Sequence, residues 1–378
     1  MIRLRAFLSR LGAFARREAV LSAAFCCAAV SMLAVPPDAA YLGYIDLRVL
    51  CLLFCLMAVV AGLQRCGLFR VLAERLLTGR RQLRLIYLVL TLLPFFCAML
   101  VTNDVALLTF VPFTVLVLGR IGRPQALIRV VVLQTLAANL GSMATPVGNP
   151  QNLFLCSYFA LPIGEFLSVV LPLTAVSLLT LSAAALAARS EIIEITFPVR
   201  ERLVQPRLFA LLCGLFVLCL LSVVHLLHYG VLTAVTVLCL LLCARGLFRE
   251  VDYALLATFV CFFIFAGNMG RIAPVREALE LLMARSAYAT GLLASQAISN
   301  VPAAVLLAGF TDNWRALLAG VNIGGLGTPI ASLASLISLK AYLRAEGASL
   351  PRYLGVFTAA NLAWLAGLSL CAAAMQLV

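Results

Sequence analysis

Two polar islands in an otherwise apolar chain carry the side chains that could bind an ion or a small solute. The first comprises 102–104 and 139–152, and the second comprises 299–302 and 322–335. Both combine hydroxyl and carboxamide groups with Gly and Pro, the residues that interrupt helices. A helix interrupted inside hydrocarbon frees backbone donors and acceptors, which is tolerated only where they are buried or line a cavity. Two such breaks at matching places in two halves are typical of a transporter's binding site near the membrane midplane.

One carboxylate belongs to these islands. Of the 15 acidic residues, only Asp104 is predicted to lie at membrane depth. A charged side chain there costs at least about 2.5–3.5 kcal/mol on insertion scales, so Asp104 is a candidate functional group. Its carboxylate could coordinate a cation or carry a proton. It could also cap the helix that follows it, and the sequence leaves both roles open.

The candidate site residues lie at two predicted hairpin tips and in two predicted helix breaks. They are Thr102, Asn103, Asp104, Thr145, Pro146, Gly148, Asn149, Asn152, Ser299, Asn300, Thr328 and Ser332. Half-helix N-termini carry partial positive charge that suits an anion, whereas freed carbonyl groups suit Na⁺. Na⁺ is therefore possible at Asn103, Asp104 and Asn300. No resident metal or cofactor is expected beyond a coupling ion, Na⁺ or H⁺.

The two islands differ in their polar groups. The run Asn-Pro-Gln-Asn at 149–152 supplies three carboxamides, whereas its counterpart at 332–335 is Ser-Leu-Ala-Ser. The two sites should therefore not be equivalent. Any single Asn or Ser could also serve only to hold two membrane helices together, but a whole island that recurs in both halves favours a binding role.

The composition is that of a polytopic membrane protein. Among the 378 residues, 64% are hydrophobic and 11% are charged, and the mean hydropathy is +1.10. Soluble proteins are roughly 45–50% apolar and about 25% charged. The 13 cysteines sit almost wholly in apolar segments, which favours a packing role over metal or redox chemistry.

Apolar segments of about 20 residues predict the membrane-spanning helices. The predicted full spans are 19–36, 46–64, 166–188, 208–226, 230–246, 252–269 and 353–376. Two broken spans are predicted over 125–158 and 315–343. Two further segments, 83–118 and 286–310, have a polar break near the middle and are interpreted as re-entrant hairpins.

The distribution of basic residues predicts the orientation. If both hairpins return to the side on which they start, one side of the membrane holds 23 of the 28 Lys and Arg residues and the other holds 5. Basic residues concentrate in cytoplasmic loops. The N-terminus is therefore expected inside and the C-terminus outside, in a bacterial-type inner membrane. The scatter of these charges over short loops argues against a nucleic acid partner.

The charges also predict an internal repeat. Arg65, Arg70 and Glu74 are followed 206 positions later by Arg271, Arg276 and Glu280, in amphipathic segments expected at the membrane interface. Equivalent elements follow in the same order but in opposite orientation. The predicted fold class is an all-α polytopic membrane protein with an inverted-topology repeat, two re-entrant hairpins and two broken transmembrane helices. The predicted division is an N-terminal half over 1–188, a cytoplasmic linker over 189–207 and a C-terminal half over 208–378.

These polar islands resemble those of the ion transporter superfamily, which includes citrate-transporter-like permeases, divalent anion–sodium symporters and arsenical-pump membrane proteins. The resemblance covers nearly the whole chain after the first helix. Its most specific parts are Thr102-Asn103-Asp104, the run at 145–152 and Ser299-Asn300-Val301-Pro302.

The resemblance implies that the two tips and the helix breaks hold coupling ions and substrate. It also implies an elevator-type carrier and a possible homodimer. Asp104 and Val301 stand where the carboxylate carriers have threonine, and the Asn-Asp pair is closer to the arsenical-pump branch. This departure argues against a dicarboxylate substrate.

The sequence predicts a secondary active transporter for a small, anionic solute, coupled to Na⁺ or H⁺. An arsenite-type or cation/proton antiporter is the alternative within that class. The expected partners are the solute and the lipid bilayer. A membrane enzyme is the alternative from another class, but the chain has two His and neither an HExxH nor a GxSxG motif. A P-loop is also absent, so the chain is not expected to hydrolyse ATP.

Overall fold

The structure is a computed structural model that describes residues 18–188, 191–195 and 203–378. The basic N-terminal segment at 3–17 and part of the predicted linker, 189–190 and 196–202, lie outside the described residues. The helices are α1 (Ala19–Ala34), α2 (Tyr41–Tyr44), α3 (Leu47–Arg65), α4 (Leu68–Leu77), α5 (Leu83–Ala98), α6 (Asn103–Arg120), α7 (Leu127–Ser142), α8 (Pro150–Tyr158), α9 (Ile163–Leu186), α10 (Pro206–Val223), α11 (Tyr229–Cys243), α12 (Tyr253–Arg271), α13 (Ala273–Arg285), α14 (Ala287–Ile298), α15 (Asn300–Leu307), α16 (Trp314–Gly324), α17 (Leu333–Tyr342) and α18 (Leu350–Ala374).

Short 3₁₀ segments occupy Pro124–Ala126, Arg245–Arg249 and Ala308–Phe310. Six of the described helices are long and apolar enough to cross a membrane, namely α3, α6, α9, α10, α12 and α18. The all-α polytopic membrane fold is therefore confirmed. Two of the predicted full spans are shorter than expected, since α1 has 16 residues and α11 has 15. α1 stops before Pro36-Pro37 because the residue before a proline disfavours helical backbone.

Both predicted hairpins are pairs of helices joined by tight tips. Residues 99–102 join α5 to α6, and Ser299 alone joins α14 to α15. Ser299 has φ +73°, a conformation that costs energy for a residue other than Gly and that clusters at functional sites. Both predicted broken helices are also found, since residues 143–149 separate α7 from α8 and residues 325–332 separate α16 from α17.

The helices that open the two repeats run in opposite directions. Arg65, at the end of α3, lies beside Gly246, in the loop that leads into α12. At the opposite end, Tyr44, just before α3, accepts a hydrogen bond of 3.2 Å from Arg271, the last residue of α12. Gly267 packs so closely on Tyr44 that a Cβ atom would lie 2.5 Å from the ring. This antiparallel pairing is what an inverted repeat requires.

The helices pack in two groups. The scaffold group is α3 and α12 with α1, α10 and α11, because α1 packs on α12 while α10 and α11 pack on α3. The core group contains the hairpins, the broken helices, α9 and α18. Helix α4 contacts α3 and α5, and α13 contacts α12 and α14, so each amphipathic helix connects one group to the other.

Close helix crossings in the core group recur in both repeats. A Cβ atom on Gly141 of α7 would lie 2.1 Å from the Phe95 carbonyl oxygen of α5. A Cβ atom on Gly320 of α16 would lie 2.4 Å from the Tyr288 carbonyl oxygen of α14. Small residues are common at membrane helix interfaces because they let backbones approach closely. Glycine at these crossings fixes how each hairpin lies against its broken helix.

The sequence analysis missed one short sheet. Strands β1 (Gly79–Gln82) and β2 (Ile192–Ile195) pair antiparallel, with Gly79 opposite Ile195. Arg123 forms an ion pair with Glu191 beside this sheet. Loop 65–84 and the described part of the linker therefore lie at the same end of the molecule, as the orientation assigned from the charges requires. The four-residue strands carry no strong alternating pattern, which is why the sequence did not predict them.

Candidate functional site

Each hairpin tip is anchored to the helix break of its own repeat. The Asn103 amide donates to the Gly148 carbonyl at 3.2 Å, and the Asn300 amide donates to the Ala331 carbonyl at 3.0 Å. Asn103, Ser299 and Asn300 are buried. These bonds satisfy backbone groups that the breaks would otherwise leave unpaired in an apolar environment. The anchoring places the polar side chains of both tips next to both breaks.

A first polar cluster joins the first hairpin tip to the broken helices of both halves. Asn103 Nδ2 donates to Asn139 Oδ1 at 2.9 Å. The same oxygen accepts from Ser332 Oγ at 3.1 Å, and Asn139 Nδ2 lies 3.4 Å from Ser335 Oγ. All four side chains are buried. Asn139 therefore holds the first tip and the start of α17 together.

A second polar cluster joins the two broken helices directly. Asn322 Nδ2 donates to Asn152 Oδ1 at 2.7 Å, and Asn149 Nδ2 donates to Asn322 Oδ1 and to Ser142 Oγ, both at 3.3 Å. Asn149 Oδ1 accepts from the Asn152 amide at 2.9 Å, so Asn149 caps α8. These polar groups find their partners in one another, which is how buried polar groups are tolerated.

The two clusters occupy related positions in the repeats. Asn139 and Asn322 are 183 positions apart, as are Asn149 and Ser332, and Asn152 and Ser335. The second cluster contains three carboxamides, two of them from the run at 149–152, and the first cluster contains two. Asn139 and Asn322 were not among the predicted site residues. The signal that could have found them is that an Asn stands ten positions before the last residue of each break.

Gln296 is a further residue that the sequence analysis missed. Its Nε2 donates to the carbonyl oxygens of Gly324 at 2.6 Å and Leu326 at 2.9 Å. Its Oε1 accepts from the Thr328 amide at 3.0 Å. One carboxamide on α14 therefore satisfies three backbone groups that the break after α16 frees.

A central cavity of about 370 Å³ lies between the tips and the scaffold helices α1 and α12. Five of the predicted site residues line it, namely Asn103, Asp104, Ser299, Asn300 and Ser332. Its other walls are largely apolar, with Ala23 of α1 and Phe262 of α12 among them. A few convergent polar groups in an apolar cavity are typical of a small-molecule site.

A side cavity of about 330 Å³ lies on the other side of Leu255. Asp104 and Leu255 line both cavities, while Glu250 and Asp252 line the side cavity alone. Glu250 and Asp252 precede α12, at the end of the molecule that also carries the β1–β2 sheet. The side cavity therefore extends from Asp104 towards that end.

Asp104 lies in the first turn of α6, where the helix dipole stabilises negative charge. Thr102 is the N-cap residue, and the Asp104 amide donates to Asn103 Oδ1 at 3.0 Å. Among the described residues, no side chain or backbone group donates a hydrogen bond to the Asp104 carboxylate. The capping role considered from the sequence is therefore not what this side chain does, and Asp104 instead lines both cavities.

Five predicted residues lie outside the lining of these two cavities, and one of them is Asn152 of the second polar cluster. Thr145 Oγ1 donates to the Met99 carbonyl at 2.5 Å and accepts from the Gly148 amide at 3.1 Å. Gly148 leaves no room for a side chain, because a Cβ atom would lie 2.2 Å from the Ser142 carbonyl oxygen. Pro146 lines a separate crevice of about 250 Å³, and Thr328 is exposed. These positions shape the breaks, whereas Thr102 and Asn149 line the side cavity.

The charges around the two cavities are all negative. Asp104, Asp252 and Glu250 line them, and no Lys, Arg or His does so among the described residues. The described part of the chain contains no group of three or more His, Cys, Asp or Glu side chains that could hold a metal ion. The compensating positive potential comes from helix N-termini, since α6, α8, α15 and α17 all begin at this site.

Three features define a polytopic protein of the membrane transporter class. They are the opposite directions of the helices that open the two repeats, the hydrogen bonds between buried carboxamides of the two broken helices, and the cavity beside the hairpin tips. The sequence model of the citrate transporter family matches residues 11–316. The chain therefore belongs to the citrate transporter family.

Relatives of this chain carry similar descriptions. It is 32% identical over 295 residues to an uncharacterized transporter of Methanocaldococcus jannaschii, covering 76% of this chain and 79% of that protein. It is 30% identical over 304 residues to an inner membrane protein of Escherichia coli, covering 78% and 80%. A silicon efflux transporter of Oryza sativa is 37% identical over 141 residues, which is 36% of this chain and 28% of that protein.

The second polar cluster predicts an energetic coupling between the two halves. Asn152→Ala and Asn322→Ala should each lower the free energy of unfolding. The double variant should lose about 1 kcal/mol less than the sum of the two single losses, which is the size expected for a hydrogen bond between membrane helices. The measurement is reversible unfolding of the four proteins in mixed micelles. Asn361→Ala in place of Asn152→Ala is the matched control, because among the described residues Asn361 bonds only within its own helix, α18. Additive effects for Asn152 and Asn322 would contradict the contact.

Proposed function

We propose that this chain is a secondary active transporter that couples the movement of a small solute to Na⁺ or H⁺, with Asp104 as the coupling group. The observation that carries the proposal is the Asp104 carboxylate. It lies at a hairpin tip, lines two cavities and accepts no hydrogen bond from the described residues. A carboxylate held in such surroundings favours a bound cation or proton.

The proposed solute is small and carries little negative charge. The N-termini of α6 and α15 meet at the central cavity and favour an anion. The Asp104 carboxylate opposes an anion until a cation or proton neutralises it. Binding of the cation would therefore precede binding of the anion, which is the basis of symport. A tricarboxylate such as citrate would meet Asp104 without any basic side chain in the cavity lining, so we do not propose citrate itself.

Antiport of a neutral or weakly acidic solute is a second candidate. The same lack of basic side chains suits a hydroxylated solute such as arsenous or silicic acid, which hydroxyl and carboxamide groups can bind. One relative is described as a silicon efflux transporter. In this scheme the proton or cation on Asp104 and the solute are bound in opposite states of the carrier.

We further propose alternating access by movement of the core group against the scaffold group. Few polar contacts join the two groups at α3. Gln64 Nε2 donates to Thr109 Oγ1 at 2.9 Å, and Ser157 Oγ donates to Asp46 Oδ2 at 3.2 Å. Helices α4 and α13 connect the two groups and would change their angle to the scaffold group as the core group moves. The side cavity extends towards the end that the charges assign to the cytoplasm, which supports an inward-facing state.

The proposal retains the orientation predicted from the charges. The N-terminus would be cytoplasmic and the C-terminus outside, in a bacterial-type inner membrane. The division into halves at 189–207 and the homodimer implied by the superfamily resemblance stay predictions.

Flux into proteoliposomes tests the proposed function. The full chain is reconstituted, and uptake of a monocarboxylate, a dicarboxylate, citrate, phosphate, arsenous acid and silicic acid is measured under imposed Na⁺ or H⁺ gradients. Symport predicts uptake that follows a cation gradient directed inwards, and antiport predicts uptake that follows one directed outwards. Flux of every substrate that is independent of both gradients would contradict coupled transport.

A further inference from the structure

A basic crevice of about 870 Å³ lies between α4, the end of α3 and α6. It shares Gln64 and Leu108 with the side cavity but contains none of the predicted site residues. The transport scheme above therefore leaves it without a role. Its position at the end of the molecule that carries the β1–β2 sheet places its mouth at the level of the basic loops.

The mouth of the crevice is positively charged. Arg65, Arg70 and Arg120 line it and are exposed, whereas Glu74 is the one acidic residue in its lining among the described residues. Three guanidinium groups against one carboxylate leave an excess of positive charge. Guanidinium groups bind phosphate through paired hydrogen bonds. The mouth is therefore complementary to a phosphate group.

The wall of the crevice is apolar and continuous with that mouth. Leu108, Pro112 and Leu116 of α6 stand four residues apart, so they form one stripe along the helix. Leu108 is 57% exposed and Leu116 is 45% exposed. Arg120 stands at the end of this stripe, and Leu108 lies about 18 Å from it along the helix axis at 1.5 Å per residue. A soluble inorganic anion has no apolar part that could be buried against this wall.

We propose that the basic crevice binds an anionic phospholipid, with the phosphate at Arg70 and Arg120 and an acyl chain along the stripe on α6. Basic pockets on the cytoplasmic side of membrane helices suit anionic headgroups. The inference rests on the cytoplasmic orientation given under the proposed function. Gln64 and Thr109, whose hydrogen bond joins the scaffold group to the core group, also line the crevice. A bound lipid would therefore affect the movement of one group against the other.

The second repeat provides a matched control. Arg276 is the counterpart of Arg70, and it pairs with Glu280 at 3.4 Å. It lines a different crevice, of about 550 Å³, which also contains the acidic residue Asp46. Positive charge is therefore not in excess there. Arg276→Gln removes an equivalent charge without touching the proposed lipid site.

Native mass spectrometry of the full chain in detergent tests the proposal, with dioleoyl phosphatidylglycerol and dioleoyl phosphatidylcholine as probes. We expect phosphatidylglycerol to bind about tenfold more tightly than phosphatidylcholine, because the excess of basic residues at the mouth favours the headgroup with a net negative charge. Arg70→Gln with Arg120→Gln should abolish that preference, and Arg276→Gln should leave it unchanged. Leu108→Asn with Leu116→Asn should weaken the binding of both lipids.

Three results would overturn the lipid site. They are equal binding of the two lipids by the unmodified chain, an unchanged preference in the Arg70→Gln, Arg120→Gln variant, and displacement of phosphatidylglycerol by millimolar inorganic phosphate. The last result would assign the crevice to a free anion. The binding readout requires no solute flux, so a chain that failed the flux experiment could still retain phosphatidylglycerol, and the two proposals fail separately.

Discussion

Asp104→Asn should abolish the dependence of transport on the coupling cation. Asparagine keeps the size of the side chain but loses the charge, so neither a proton nor Na⁺ would be held where the two cavities meet. Activation by the cation, which for a typical coupling free energy amounts to roughly 5- to 150-fold, should disappear. Folding should be preserved, because among the described residues no hydrogen bond to the Asp104 carboxylate is lost.

The measurement is the initial rate of solute uptake in proteoliposomes as a function of Na⁺ concentration and of pH. Asp312→Asn is the control, because Asp312 lies in the turn before α16 and outside the lining of both cavities. An Asp104→Asn protein that responds to both cations as the unmodified chain does, at equal abundance, would show that the coupling site lies elsewhere.

Asn103→Ala and Asn300→Ala should each cripple transport while leaving the fold largely intact. Both side chains line the central cavity at the start of a half-helix, where the bilayer offers no replacement ligand. A lost hydrogen-bonding group in such a site costs about 1–3 kcal/mol, which corresponds to roughly 5- to 150-fold in affinity or rate.

The structure explains why folding should survive these changes. After Asn103→Ala, Asn139 Oδ1 still accepts from Ser332 Oγ. After Asn300→Ala, Ser299 Oγ still lies 3.3 Å from the Ala331 carbonyl oxygen, and the backbone bond from residue 300 remains. Each tip therefore stays anchored to its break without the carboxamide.

Asn361→Ala is the matched control for both variants. Asn361 is as fully buried as Asn103 and Asn300, but in the part of the chain that the structure describes its Nδ2 donates only to the Phe357 carbonyl within α18. Initial uptake rates of the three variants at equal protein abundance provide the comparison. Normal uptake by both tip variants would mean that the tips serve packing and that the solute binds elsewhere.

The structure changes the reason for the expected difference between the two breaks. The sequence predicts that Asn149→Ala or Asn152→Ala impairs ion dependence more than Ser332→Ala or Ser335→Ala. Asn152 Nδ2 donates to the Met143 and Thr145 carbonyls, and Asn152 is fully buried. Its loss should therefore lower stability first, whereas Asn149 lines the side cavity and remains the better test of ion dependence.

Much of the architecture was open to prediction because it depends on local features. Long apolar runs determine where helices cross, and Gly, Pro and Asn at 99–104, 143–149, 299–300 and 325–332 determine where they break. The constant separation of 206 positions between the charges at 65, 70 and 74 and those at 271, 276 and 280 predicted two equivalent segments. The structure shows that α3 and α12, the helices that precede these segments, run antiparallel. The shortness of α1 also follows from the prolines at 36 and 37.

The partners of the polar side chains were decided by the tertiary structure alone. Asn139 meets Ser335 across 196 positions, and Asn322 meets Asn152 across 170. The pairing of β1 with β2 and the place of Asp104 between two cavities are equally long-range features. Local periodicity shows which face of a helix is apolar, but it holds no information on which other helix that face meets. In an inverted repeat, that choice depends on how two antiparallel halves pack, because the free energy of burying Asn and Ser is favourable only where both halves bring their polar groups together.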